Sequence, residues 1–326
     1  MKKALFFWLI AIVLSGCGKT DDSRKTEAAD KLNSVAVIID DNLWLGTIGD
    51  SLRNKLAAPM TGLDQEEPLF TLNQYPAKLL EGYMTHSRNI IVIKKNDKLT
   101  QNVYQVKRDQ YTRPQTIFSI SGKTTADIIQ TLEMHAPDMI ARIRAVEIAE
   151  SQKSIKNALA DDKDLEKMFR IRMNYPKSYK TVLKRRKFIW LKKEITSGSS
   201  SILVYQIPEW QIGISNDMDA TIIRQRNAVI RKYIRGTRRN TPMVTENSFT
   251  PYFNEITLAG KPAYEMRGTW ELANDFMQGP FLSYCIHDKL HRRYVFVEGF
   301  CYAPSREKRD LMFELEAILR TVSFMK

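Results

Sequence analysis

The sequence predicts an α+β fold, mostly antiparallel sheets with helices packed on their faces, arranged as two halves that repeat a strand and helix order in outline. Three observations carry this expectation. Short runs of β-branched and aromatic residues recur along the 326 residues, helically spaced apolar stretches lie between them, and the carboxyl end alternates apolar with polar positions. The chain is 43% apolar and 27% charged with only 14 Gly and 12 Pro, which excludes a collagen-like, low-complexity or wholly disordered polymer. Its formal charge of +13 favours anionic surroundings without specifying a partner.

At the amino end, Lys2 and Lys3 precede an apolar run from Ala4 to Leu14 that closes on Leu14-Ser15-Gly16-Cys17. Eleven helical residues span about 16 Å, half of a hydrocarbon core of roughly 30 Å, so the run is too short to cross a membrane. A basic start, a short apolar stretch and small residues at its end describe a secretory signal over residues 1–16. The Leu-Ser-Gly-Cys quartet resembles the lipobox of bacterial lipoproteins. That resemblance implies cleavage before Cys17, a diacylglycerol thioether on its sulfur, and an acyl chain such as palmitate on the new amino terminus. More than one chain meets the requirement for stable anchoring; the alternative is an ordinary signal peptide. Residues 17–33 then form a tether that lacks the surface to offset its ordering entropy. Gly18, rather than Asp, follows the cysteine, which leans towards the outer membrane over the inner. The Asp21-Asp22 pair also resembles the acidic export tag of Bacteroidota surface lipoproteins, and leaves the periplasmic or surface side open.

The first half is expected over residues 34–160. Val35 to Ile39 is a continuous β-branched strand, Asp40-Asp41-Asn42 suits a helix start, and Leu43 to Leu56 has helical spacing at 45, 48, 52 and 56. Pro59, Gly62 and Pro68 mark a loop. Asn89 to Ile93 and Thr116 to Ile120 are further strands, and a helical region from Thr125 towards Ala160 is expected to break near Pro137.

The second half, residues 161–326, opens on Phe169 to Pro176, which alternates as a half-buried strand should. Phe188 to Leu191 and Ile202 to Ile207 are two more strands, followed by a helix over 219–235 with Ile222, Ile223, Val229, Ile230, Tyr233 and Ile234 on one side. NIIVIKK matches KFIWLKK loosely, as TIFSIS matches ILVYQI, which suggests a weak duplication. From Tyr264 to Leu272 even positions are apolar and odd ones polar, an antiparallel strand with a solvated face. Phe281 to His287 and Arg292 to Tyr302 form a hairpin around Asp288 to Leu290. A final helix after Pro304-Ser305 carries an apolar stripe from Leu311 to Val322.

FRIRMNYPKSY, GKPAYEMRGTWEL, GPFLSY, EGFCYAPSREKRD and ILRTVSF, with DDNLWLGTIGDSLRNKLAAP and EEPLF earlier, resemble an uncharacterised family of Bacteroidota lipoproteins, domain of unknown function 4837. The resemblance implies no activity. The second half is also similar in layout to the sandwich of PsbP-type extrinsic proteins, a likeness of topology alone.

Each candidate chemical site has a plainer account. Ser121-Gly122-Lys123-Thr124 lacks the first glycine of a phosphate-binding loop, since position 117 is Ile117, and is better read as a strand end and helix cap. Asp40 and Asp41 are better helix caps than cation ligands. His287, Asp288 and His291 are too few for a usual zinc site. Cys285 and Cys301 fall about six residues out of register, roughly 20 Å apart, beyond disulfide reach. Glu265, Glu271 and Glu298 are expected on polar strand faces. No catalytic residue, cofactor or metal is expected.

Charge is the remaining signal. Ten basic residues stand against one acid between Arg170 and Glu194, and Arg224, Arg231, Arg235 and Arg238 recur at helical spacing. Arg185, Arg186, Arg224, Arg231 and Arg235 are the candidate anion-binding set, for anionic lipid, lipopolysaccharide or envelope proteins. An export signal argues against nucleic acid, and a merely solvated basic surface is the bland alternative. The expected function is a lipid-anchored envelope binding or assembly module, non-enzymatic. The second candidate is an envelope hydrolase or small-ligand carrier with a pocket between the two halves.

Overall fold

The computed structural model describes Ala28 and residues 31–76, 85–213, 216–248 and 250–325. Cys17, the signal segment and most of the tether lie outside these residues.

The first sheet starts with β1 (Ser34–Ile38), whose β-branched run is buried on both faces. Two helices follow, α1 (Asp41–Trp44) and α2 (Thr47–Leu56), where the spacing predicted one. The chain bends at Leu45 and Gly46, leaving Leu45 on the surface. The bend needs a glycine at 49, because a Cβ there would lie 1.7 Å from the Trp44 carbonyl oxygen. Asp40 takes the N-cap position of α1 without a side-chain cap bond, and Asp41 instead accepts from Gln74 Nε2 at 2.8 Å. The expectation of helix capping by this pair therefore fails at the side-chain level.

The remaining strands are β2 (Thr71–Tyr75), β3 (Asn89–Lys95), β4 (Val103–Arg108) and β5 (Thr116–Gly122), ordered β2-β1-β3-β5-β4. All pairings are parallel except β4 with β5. Val35, Val37, Ile91, Ile93, Phe118 and Ile120 face α2 and α3 (Thr125–Lys156). Thr124 and Asp127 close a reciprocal capping box at the start of α3. This helix runs 32 residues through Pro137 without the expected interruption. Leu132, Met139 and Ile143 are buried on either side of the proline. Tyr104, stacked on His135 and hydrogen-bonded to Asp138, pins the turn that contains it. Deep in the same unit, the buried Glu147 accepts from Asn33 N, Arg88 Nε and Asn89 Nδ2 at 2.9, 3.0 and 2.7 Å.

After α4 (Lys163–Phe169), Arg170 turns left-handed and β6 (Ile171–Arg172) pairs for only two residues. The predicted strand over 169–176 is thus mostly absent as ladder. Its alternation is nevertheless real, since Phe169, Ile171, Met173 and Tyr175 all enter the core. The large sheet comprises β7 (Lys180–Arg185), β8 (Phe188–Ile195) and β9 (Gly198–Pro208). After α5 (Glu209–Ile212) and α6 (Met218–Tyr233) come β10 (Met243–Thr245), β11 (Tyr252–Leu258), β12 (Lys261–Leu272), β13 (Gln278–Asp288) and β14 (Arg293–Tyr302). Its order is β10-β12-β13-β14-β9-β8-β7 with β11 also on β12, and every pairing is antiparallel. The predicted hairpin is β13–β14, in which Cys285 pairs with Phe296 and Cys301 pairs with Ser200; both thiols are free and buried.

The suggested duplication is not seen in the pairing. β3 and β5 are parallel neighbours with β4 returning at the edge, whereas β8 and β9 are joined by the short Thr196-Ser197 turn as an antiparallel hairpin. Nor is the odd face of β12 solvated. α7 (Arg309–Leu319), followed by β15 (Ser323–Phe324), packs with α4 and the end of α3 on that face, while α5 and α6 cover the other. Leu315 of α7 sits so close to β14 that a Cβ on Gly299 would lie 2.9 Å from its own.

Candidate functional site

The loop after α2, residues 57–70, reaches across to α7, and its docking shapes a groove. α7 has no side-chain cap of its own. The buried Glu67 supplies one, accepting from Lys308 N and Arg309 N, both at 2.7 Å. Lys308 Nζ lies 3.4 Å from Asp64, Arg309 Nη1 donates to Thr71 Oγ1 at 2.9 Å, and Asn33 Nδ2 donates to Asp310 at 3.0 Å. A carboxylate at a helix amino end is favoured by the free N–H groups and the dipole together.

Between this loop and the large sheet runs the groove. One section, about 680 Å³, lies among Met60, Gly62, Glu246, Tyr252, Arg267 and Glu271. A second section of about 390 Å³ shares Met60, Thr61, Tyr252 and Arg267 with it, and adds Arg144, Glu265 and Arg320. Guanidinium groups from α3, from β12 and from the residue after α7 thus meet at one place.

Beneath them lies Glu316. It accepts from Arg144 Nη2 at 2.6 Å and Arg320 Nε at 2.9 Å, and Arg267 Nη2 stands 3.0 Å away. Arg267 also donates to both oxygens of Glu265, at 2.9 and 3.2 Å. Burial alone would raise the Glu316 carboxyl, but Arg267, Arg144 and Arg320 outweigh it and hold the group down at about 2. Burial likewise works against the charge on Arg267, which Glu316 and Glu265 overcome, keeping it firmly protonated. Tyr284, buried below Arg320, is pushed well above its ordinary range by burial and then by Glu316 and Glu265.

The basic residues predicted from sequence lie elsewhere, around α6 and the β7–β8 turn. Arg185, Arg186, Arg224, Arg231 and Arg235 are all exposed. Phe188 stacks on Tyr233 with centroids 4.3 Å apart, which sets the β7–β8 turn beside the carboxyl end of α6. Arg224 donates to Thr221, and Arg185 to the Lys184 carbonyl. The helix ends at Tyr233, so Arg235 and Arg238 do not continue its spacing; Arg235 bridges to Pro242 and Arg238 pairs with Asp275 at 3.2 Å.

A family model described as domain of unknown function (DUF4837) matches residues 158–321, just over half of the chain. The chain belongs to that family. A second domain of unknown function (DUF8532) matches residues 28–156. A search of curated proteins finds no match. Among solved structures, the Ran-binding protein Mog1p of Saccharomyces cerevisiae shows 9% identity over 48% of this chain and 91% of its own, with a TM-score of 0.34. LpqN of Mycobacterium tuberculosis, involved in cell envelope biogenesis, shows 11% identity over 48% and 83%, at 0.30. A protein from Bacteroides thetaiotaomicron VPI-5482 shows 12% over 48% and 46%, at 0.21. At these TM-scores none of the three carries weight for fold or function.

The DUF4837 segment supplies Arg267, Arg320, Glu265 and Glu316, whereas Arg144 and the 57–70 loop come from the DUF8532 segment. Sequence reasoning missed this convergence, because partners such as Arg144 and Glu316 lie far apart in the chain. It also misplaced Glu265 and Glu298. Glu298 is fully buried against Arg226 of α6, and Glu265 is buried against Arg267 and Arg320; only Glu271 stays partly exposed. Ser121 to Thr124 is the expected strand end and helix cap. His287 contacts Glu209, and His291 contacts Asp288 at 2.8 Å. Among the described residues no group of three or more His, Cys, Asp or Glu is placed to hold a metal, and no helix is long and apolar enough to cross a membrane.

Proposed function

We propose that this chain is a bacterial lipoprotein of the Bacteroidota type, anchored through Cys17 in the cell envelope, on the outer rather than the inner membrane, and working as a non-enzymatic binding or assembly module. The observation that carries the binding role is the exposed arginine surface at the β7–β8 turn and α6. From Ala220 to Thr245 there is no acid, and among the described residues Arg186, Arg231 and Arg235 have no carboxylate partner. Guanidinium groups free of internal carboxylates suit phosphate-bearing surfaces such as anionic lipid or lipopolysaccharide. Reversing Arg185, Arg186, Arg231 and Arg235 to Glu is expected to abolish salt-sensitive flotation with phosphatidylglycerol vesicles. Unchanged flotation would remove the basic face from the reading. Replacement of Cys17 by Ala is expected to release the chain from the membrane fraction, and pelleting in high salt would contradict the anchor.

A second reading, a small-ligand carrier, is favoured by the groove, whose walls combine charged groups with the half-open Tyr252 and the loop residue Met60.

A further inference from the structure

We propose that the smaller section of the groove binds the carboxylate of a small organic anion, held by Arg144, Arg267 and Arg320 with its apolar body against Tyr252, Met60 and Leu69. The inference rests on the carrier reading and names the ligand class for it.

Charge is the first argument. The ion-pair network contains the guanidinium groups of Arg144, Arg267 and Arg320 against the carboxylates of Glu265 and Glu316, so one positive charge is uncompensated within it. A network that served structure alone would gain little from a third guanidinium at the groove wall, whereas one bound monoanion completes the balance. Donor inventory is the second. Of the Arg144 nitrogens, Nη2 alone has a hydrogen-bond partner among the described residues, although a guanidinium carries five N–H groups. Arg320 uses Nε and Nη2 on Glu316 and Glu265, which leaves Nη1, and its side chain is 36% exposed where it borders the groove. Both arginines line a space of about 390 Å³, enough for an aryl or short alkyl acid.

Preorganisation is the third argument. Glu316 accepts from Arg144 and Arg320 and pairs ionically with Arg267, which fixes their relative positions, so a ligand would meet donors already ordered. The wall opposite supplies apolar cover: Tyr252 is 59% exposed, a large aromatic ring left open beside Arg267, its cross-strand partner. Asn254, the next residue of β11 on that side, pairs with Glu265 and offers a neutral polar group at the rim. A planar carboxylate suits bidentate guanidinium recognition, and an excess of a single charge favours it over a dianionic phosphate.

The test is calorimetric titration of the full chain in detergent with phenylacetate, phenylacetamide and phenyl phosphate, each against a matched detergent blank. Phenylacetate is expected to bind in the millimolar range or tighter and to weaken with salt, with the neutral amide at least about tenfold weaker. Arg144→Gln is expected to weaken phenylacetate about tenfold or more, bringing it near the amide. Tyr252→Ala, an exposed site outside the ion pairs, is expected to weaken acid and amide alike, and keeps the proposal testable if the arginine variant does not fold. Equal binding of acid and amide would overturn the anion assignment while leaving a carrier. Tighter binding of phenyl phosphate would overturn the carboxylate assignment. No binding by any probe at millimolar concentration would overturn both the inference and the carrier reading.

Discussion

Arg226 and Glu298 meet with no solvent contact on either side chain: Nη2 to Oε1 is 2.6 Å, Nε to Oε2 is 2.9 Å, and the guanidinium lies 3.7 Å above the ring of Phe281. The third nitrogen, Nη1, donates to Thr245 Oγ1 at 2.8 Å. α6 is thereby fastened to β14 across the core beneath the basic surface.

Removing one partner leaves the other charge buried. Arg226→Met is expected to destabilise the chain by about 3 to 5 kcal/mol, with Glu298→Gln less severe because an amide still accepts one bond. The double variant Arg226→Met/Glu298→Leu is expected to recover most of the loss. Urea unfolding of the three proteins checks this; a double variant as weak as the single one would mean that α6 needs the pair for its placement.

Glu316 makes stability depend on acid. Its carboxyl titrates at about 2 in the fold against an ordinary 4.5, so its contribution is fully present above pH 4.5 and is lost as pH falls towards 2. The full difference corresponds to about 3 kcal/mol. Glu316→Gln is expected to be less stable at neutral pH and to have a flatter stability profile between pH 4.5 and 2. Chemical unfolding across that window measures both.

Glu67→Ala removes the cap that the 57–70 loop places on α7, leaving two buried N–H groups without acceptors. The expected cost is about 2 to 4 kcal/mol. Limited proteolysis is expected to cut the 57–70 loop faster in the variant, and an unchanged cleavage pattern would show that Asp64, Arg309 and Asn33 suffice to hold it.

Burial pushes both core thiols up, Cys301 to about 12 and Cys285 well above the ordinary thiol range. Neither is expected to react with a maleimide in the native protein at neutral pH, and both are expected to react in guanidinium. Labelling of Cys301 in the native state would show that the sheet opens near Gly198 and Gly279, whose missing side chains let the backbone at Cys301 and Tyr302 approach.

Local pattern carried much of the fold. The β-branched runs at 35–39 and 89–93, the alternation through β12 to β14 and the stripe of α7 all follow from which neighbours a residue must bury. Pairing direction was not legible, because β3, β5, β8 and β9 look alike as apolar runs and differ in what the connecting chain does. The groove was not legible either. Arg144 and Glu316 are 172 positions apart, and an arginine that ends in a buried network has the same one-dimensional signature as one bathed in water. The same limit explains Glu265 and Glu298, where period-two alternation identifies a face but cannot say whether another layer will cover it.

The clasp between the 57–70 loop and α7 sets an order on maturation. Lys308, Arg309 and Asp310 emerge from the ribosome long after Asn33, Asp64 and Glu67, which wait for them with polar groups turned inward. A nascent amino-terminal sheet can gather its apolar strands early. Its seam stays open until residues 308–310 have been made, so a chain stalled short of them would expose that seam to proteases and chaperones.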